Sequence, residues 1–141
     1  MTADTTRKCE MNEHPNTQTL RSAYEAVARG DMESLVSVLA EDIVWHESMP
    51  GFEGTYHGRD EAMALLGRVF AETGMEVVDM SVDHVLADDA HATVVLETTV
   101  GIGDRRHHGR YVDVYRLRDG TAIEHWHLPF DPSAEAAFFG R

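Results

Sequence analysis

The hydrophobic period of this chain changes once, at Gly74, and that change restricts it to a few architectures. Ahead of Gly74 apolar residues recur at helical spacing; beyond it they alternate. Leu20, Tyr24, Val27 and Ala28 fall at i, i+4, i+7 and i+8, one face of a helix. Thr17 or Thr19 is placed to cap it, and Gly30 to close it in a left-handed conformation. Asp31 offers a second N-cap ahead of Met32, Leu35, Val36 and Leu39, again a helical stripe. Ile43, Val44 and Trp45 are strand formers and begin a short strand. Pro50, Gly51, Gly54 and Gly58 mark 49–58 as loop. A third helix is predicted over Asp60 to Thr73, with Ala62, Leu65, Leu66, Val69 and Phe70 as its apolar side.

After Gly74 the alternation predicts strands over 75–86, 91–102, 107–118 and 121–130, separated by turns at Asp88-Asp89, Gly103-Asp104 and Asp119-Gly120. The tail from Pro132, with Ala136, Phe138 and Phe139, reads as a short helical segment laid against the body. Helices first and strands afterwards specify an α+β fold. Its expected form is a cone, with three N-terminal helices packed on a curved antiparallel sheet and a ligand cavity at the open end. A chain of 141 residues suits one domain and buries roughly two-thirds of its unfolded surface, so it needs no disulfide or structural metal. Residues 1–16, polar and without periodicity, read as a disordered lead-in, and 17–141 as the single domain.

The net charge of −13 argues against nucleic acid, whose binders neutralise phosphates with Lys and Arg, and against anionic membrane surfaces. No apolar run approaches the ~20 residues that span a bilayer, and the first nineteen residues lack the apolar stretch of a secretory leader. Cys9 is the sole cysteine, which rules out an intramolecular disulfide and a thiolate metal site. A cytoplasmic location is the expectation. Lys8 is the only lysine among the basic residues, a bias that points to a GC-rich bacterial genome.

Two places carry candidate chemistry. In 111–118 the set Tyr111, Asp113, Tyr115, Leu117 alternates with Val112, Val114, Arg116, Arg118, and the second set ends in two arginines. The first set is therefore expected to face the cavity, with Asp113 between two tyrosines. Burial without a charge partner raises a carboxylate's pKa and keeps it protonated as a hydrogen-bond donor. In Trp45-His46-Glu47 neighbouring side chains face opposite ways, so one of His46 and Glu47 enters the pocket; either one can shuttle a proton. Tyr24 on the apolar face of the first helix and Tyr56 at the pocket mouth complete the set.

Several phrases together resemble the nuclear transport factor 2-like superfamily, and within it the SnoaL-like proteins. They are Tyr24-Glu25-Ala26-Val27-Ala28-Arg29-Gly30-Asp31, Gly54-Thr55-Tyr56-His57-Gly58-Arg59-Asp60-Glu61-Ala62, Val85-Leu86-Ala87-Asp88-Asp89, the run from Tyr111 to Gly120, and Ile123-Glu124-His125-Trp126-His127. The resemblance implies a cystatin-like α+β roll that hosts ketosteroid isomerases, polyketide cyclases, epoxide hydrolases, dehydratases and non-catalytic binding modules, so fold alone does not select among them. By likeness to ketosteroid isomerase, Asp113 takes the place of a protonated acid, Glu47 that of the general base with His46 one residue before it, and Tyr24 that of a helix tyrosine facing the oxyanion. Trp126 is expected to line the pocket, with Tyr111, Tyr115 and Trp45, while His125 and His127 form a pair on the outer face or rim. The Asp-Arg-Asp set of limonene-type epoxide hydrolases is missing, because Leu128 and Tyr111 stand where an aspartate and the arginine belong. No Gly-rich phosphate loop, nucleophile elbow or dinucleotide fingerprint occurs. The expectation is cofactor-free acid/base chemistry, of isomerase or cyclase type, on a hydrophobic carbonyl compound, with no metal. A non-catalytic binding module or a homodimeric scaffold is the alternative, and a homodimer is expected in either case.

Overall fold

The computed structural model describes residues 13–140. Helix α1 (Pro15–Ala28) is followed by the short α2 (Glu33–Val36), β1 (Leu39–Glu47), β2 (Gly54–His57) and α3 (Arg59–Thr73). Then come β3 (Glu76–Ala87), β4 (His91–Ile102), β5 (Arg105–Arg118), β6 (Thr121–Pro129) and α4 (Pro132–Phe139). The four long strands form the expected meander, and the fold is α+β: six strands in one sheet, ordered β2-β1-β6-β5-β4-β3, with α1 against β3 and α3 against β1 and β2. Leu20, Leu39, Ile43, Leu65, Val94 and Tyr115 are fully buried between the layers. Among the described residues no helix is long and apolar enough to cross a membrane.

Local departures from the sequence reading have identifiable causes. Helix α1 starts at Pro15, whose fixed φ suits the first helical turn, and His14 rather than Thr17 or Thr19 caps it by accepting from Asn16 N at 3.1 Å. Residues 1–12, which include Cys9 and most of the expected lead-in, lie outside the described residues. Asp31 does bind the start of α2, accepting from Glu33 N at 3.1 Å and Ser34 Oγ at 3.0 Å, but the helix stops at Val36 and Leu39 already belongs to β1. The glycine-rich segment 49–58 contains the strand β2, paired antiparallel to β1. β1 in turn runs parallel to β6, so the sheet is antiparallel except at that seam.

Two irregularities in the sheet decide which side chains face inward. The β5–β6 turn has φ of 52° at Asp119 and 79° at Gly120, the positive pair a two-residue hairpin needs. Beyond it Leu117 pairs with Ala122 but Arg116 with Glu124, so Ile123 is an extra residue in β6. In β3, Val77 pairs with Val100 and Asp79 with Thr99, which leaves Val78 bulged.

Candidate functional site

A cavity of about 240 Å³ lies between the helices and the inner face of the sheet. Alternation on β5 turns Tyr111, Asp113 and Tyr115 into it, as the pattern predicted. Tyr24 enters from α1, Trp45 and Glu47 from β1, His125 and His127 from β6, and Glu135 from α4. The rest of the wall is apolar, including Leu35, Leu66, Leu96 and Met80.

Asp113 is the hub. It is 5% exposed, yet both carboxylate oxygens are occupied. Tyr24 Oη donates to Oδ2, and Tyr115 Oη, 2.5 Å from Tyr24 Oη, is left to donate to that oxygen, giving a one-way chain Tyr115→Tyr24→Asp113. On the other side His127 Nδ1 lies 2.5 Å from Asp113 Oδ1, and His125 Nε2 lies 3.8 Å from the same atom.

These contacts correct the expectation of a protonated acid. Burial pushes the Asp113 carboxyl up, but the facing His127 and His125 outweigh it and hold the group well below the usual carboxylate range. Burial alone lowers the His127 imidazole, but the Asp113 charge, the hydrogen bond to it and the nearby Glu47 and Glu135 raise it from 6.5 to about 9. Burial and Asp113 push Tyr24 and Tyr115 well above the ordinary phenol value. The site at neutral pH is thus an Asp113 carboxylate and a His127 imidazolium. With Nδ1 committed to Asp113, Nε2 of His127 has no hydrogen-bond partner among the described residues, on a ring that lines the cavity.

The neighbouring groups fix this geometry. Tyr111 stacks on His127 with centroids 4.6 Å apart and donates to Glu135 Oε2 at 2.6 Å, which His107 Nε2 also contacts at 3.1 Å. The ring of His125 packs between Trp45 (4.0 Å) and Tyr115 (4.7 Å). Glu47 accepts from Trp45 Nε1 at 3.2 Å and from the Ser48 and Met49 amides at 3.1 Å.

Three candidate residues lie elsewhere. His46 points to the outer face, where Nε2 contacts Glu124 at 2.6 Å and the ring stacks on Trp126 at 4.9 Å. Trp126 therefore lies outside the cavity, the reverse of the expectation, and His125 and His127 lie inside. Tyr56 is tied to Phe52 O at 2.9 Å beside β2 and is not part of the cavity wall. Sequence reasoning missed His125, His127 and Glu135 as wall residues. The partner of Asp113 on β6 was the available signal, and the Ile123 bulge hides it. Among the described residues no three His, Cys, Asp or Glu side chains are grouped to hold a metal ion.

The family model of the SnoaL-like domain matches residues 20–125. No curated protein matches the chain. Among solved structures, Bal32a from a soil-derived mobile gene cassette is 28% identical, with a TM-score of 0.73 over 88% of this chain and 95% of its own. A nuclear transport factor 2-like protein of unknown function from Burkholderia pseudomallei is 26% identical, with a TM-score of 0.74 over 89% and 98%. A protein of Mesorhizobium loti, named as a candidate SnoaL-like polyketide cyclase, shares the fold at 19% identity and a TM-score of 0.64 over 78% and 95%.

Proposed function

This chain belongs to the SnoaL-like domain family, and we propose that it is an acid/base catalyst acting on a hydrophobic, carbonyl-bearing small molecule. The observation that carries the reading is the His127–Asp113 pair at 2.5 Å, which leaves one imidazole N–H free in an apolar cavity. A bound carbonyl oxygen is the acceptor that Nε2–H fits. Charge that develops on this oxygen as an enolate forms meets a fixed cation at low dielectric, where such stabilisation is large.

Glu47, the pocket-facing member of the His46/Glu47 alternative, then takes the proton from the carbon beside the carbonyl. Returning that proton to a different carbon of the enolate isomerises the ligand. Attack of the enolate carbon on a second carbonyl of the same molecule closes a ring, and the new alkoxide takes up a proton. Asp113 stays ionised throughout and orients His127, while Tyr24 and Tyr115 hold Asp113. Each step uses only these side chains.

The test is α-hydrogen exchange of aryl ketones in D2O, followed by NMR. The wild type is expected to exchange a bound ketone above the buffer rate, and His127→Gln to lose roughly 10²–10³-fold. Ketone binding without exchange overturns the catalytic reading and leaves a binding module. That second reading draws on the inward saturation of Asp113, whose oxygens are both engaged by protein groups. For the assembly we propose a homodimer through the outer sheet face, where Val95, Val112, Val114, Trp126 and Leu128 form one patch across β4, β5 and β6. A monomer by gel filtration overturns it.

A further inference from the structure

We infer that the ligand is two-part: a polar carbonyl head held at His127 and an uncharged apolar tail lying in a second compartment, between α1, α3 and the edge strand β3. The inference rests on the reading that the carbonyl end of the ligand meets His127. The cavity at His127, at about 240 Å³, is smaller than the ~300–1,000 Å³ usual for ligand pockets, so it suits a head group rather than a whole ligand. A larger compartment of about 660 Å³ adjoins it. The two share Val27, Met32, Leu66, Phe70, Met75, Val77 and Met80 as lining residues, so they lie side by side.

Three observations point to an apolar occupant of the outer part. First, Met32, Phe70, Val77 and Val78, each between 40% and 50% exposed, cluster in it, and they are most of the large exposed apolar side chains among the described residues. Second, Val77 and Val78 are consecutive and both line the compartment. A regular strand turns neighbours to opposite faces; the bulge at Val78 turns both the same way. Third, the polar groups are segregated. His127, Asp113, Glu47 and Glu135 stand at the inner end, and the outer wall has only Glu76 and Asp79 as charged groups, with no Lys or Arg. That acidic rim disfavours an anionic tail end or an anionic carrier group. Met32, Met63, Met75 and Met80 give the wall unbranched side chains that adapt to a flexible chain.

The experiment is a calorimetric titration of the full chain with n-alkyl phenyl ketones of increasing length, and with one series ending in a carboxylate. Affinity is expected to tighten about three- to fourfold per methylene over the length of the outer compartment. The carboxylate series is expected to gain less. Val78→Glu and Met63→Glu, which alter the outer compartment alone, are expected to flatten the length dependence while acetophenone binds as in the wild type. His127→Gln is expected to weaken every member by a similar factor and preserve the slope. A flat series in the wild type, with acetophenone still bound, overturns the tail compartment without touching the head-group reading. Failure of acetophenone to bind, or a His127→Gln variant that binds it normally, overturns the head-group reading and this inference with it. A slope unchanged by Val78→Glu, accompanied by loss of a dimer in light scattering, assigns the patch to a second copy and also overturns it.

Discussion

His46 and Glu47 are adjacent in β1 and lie on opposite faces of the sheet: His46 meets Glu124 at 2.6 Å outside, and Glu47 lines the cavity inside. The two carry separable consequences. Glu47→Gln keeps the side-chain volume and removes the proton acceptor, so turnover of a reactive ketone is expected to fall roughly 10²–10⁴-fold with little change in melting temperature. His46→Ala removes a partly exposed contact with Glu124 and the stack on Trp126, costs about 1–2 kcal/mol, and leaves turnover intact. Steady-state kinetics and thermal melts on both variants check the assignment; equal losses in turnover contradict it.

The Asp113–His127 pair predicts a pH window. The His127 pKa is raised to about 9 from 6.5, so its contribution is complete below pH 6.5 and disappears as pH rises through about 9. The Asp113 pKa is depressed, so its contribution is present above its ordinary value of 3.8 and disappears as pH falls below it. The pair therefore stabilises most between these limits, by on the order of 3 kcal/mol for the histidine. Melting temperature against pH for wild type and His127→Gln measures it; the variant is expected to lack the alkaline loss.

Activity carries the same signature. If the imidazolium donates to the carbonyl, kcat/KM is expected to fall above about pH 9 in the wild type. Asp113→Asn removes the main charge that raises His127, so this limb is expected to move toward lower pH. An alkaline limb unmoved in Asp113→Asn contradicts the coupling.

The chain Tyr115→Tyr24→Asp113 has a direction, and direction predicts unequal costs. Tyr24→Phe deprives Asp113 of a donor and leaves the buried Tyr115 hydroxyl without its acceptor, at about 2–3 kcal/mol. Tyr115→Phe removes only the terminal donor, at about 1 kcal/mol. Urea denaturation of both variants and of the double variant is expected to show strong non-additivity. The reverse order of costs overturns the proposed hydrogen positions.

Helix α4 is held to β5 through Glu135, which accepts from Tyr111 and contacts His107. Glu135→Ala leaves a buried phenol unpaired, and a loss of about 1–3 kcal/mol is expected. Faster proteolysis near Pro132 than in the wild type is the check that the loss falls on α4.

The sequence was most informative where one face is buried and the register unbroken. On β5 the arginines at 116 and 118 mark the solvent side, and Tyr111, Asp113 and Tyr115 do face the cavity. On β6 the placement of Trp126 in the pocket comes from the resemblance, and the structure reverses it. A regular hairpin closed by Asp119-Gly120 pairs Asp113 with Trp126 and puts the indole inside. The single residue Ile123 shifts the register by one, so Asp113 meets His127 and the indole goes outside. The Asp113 protonation state follows from that shift, because the expected raised pKa presumed no facing cation. β2 was hidden for a different reason: its four residues begin at Gly54, lie between Gly51 and Gly58, carry no alternation, and are made a strand by pairing to β1 alone.

The place of β6 in the sheet has a consequence for how the molecule comes into being. β6, the last of the six strands in chain order, is inserted between β5 and the early strand β1, joining Trp45 to His125 across eighty residues of chain. Contacts of such sequence separation are slow to form. Until β6 docks, β1 and β5 each present a bare edge open to pairing with other chains, and both imidazoles of the site are absent. The Asp113–His127 pair therefore forms only once β6 docks, and a chain cut short before Thr121 lacks both imidazoles and gains a route to aggregation.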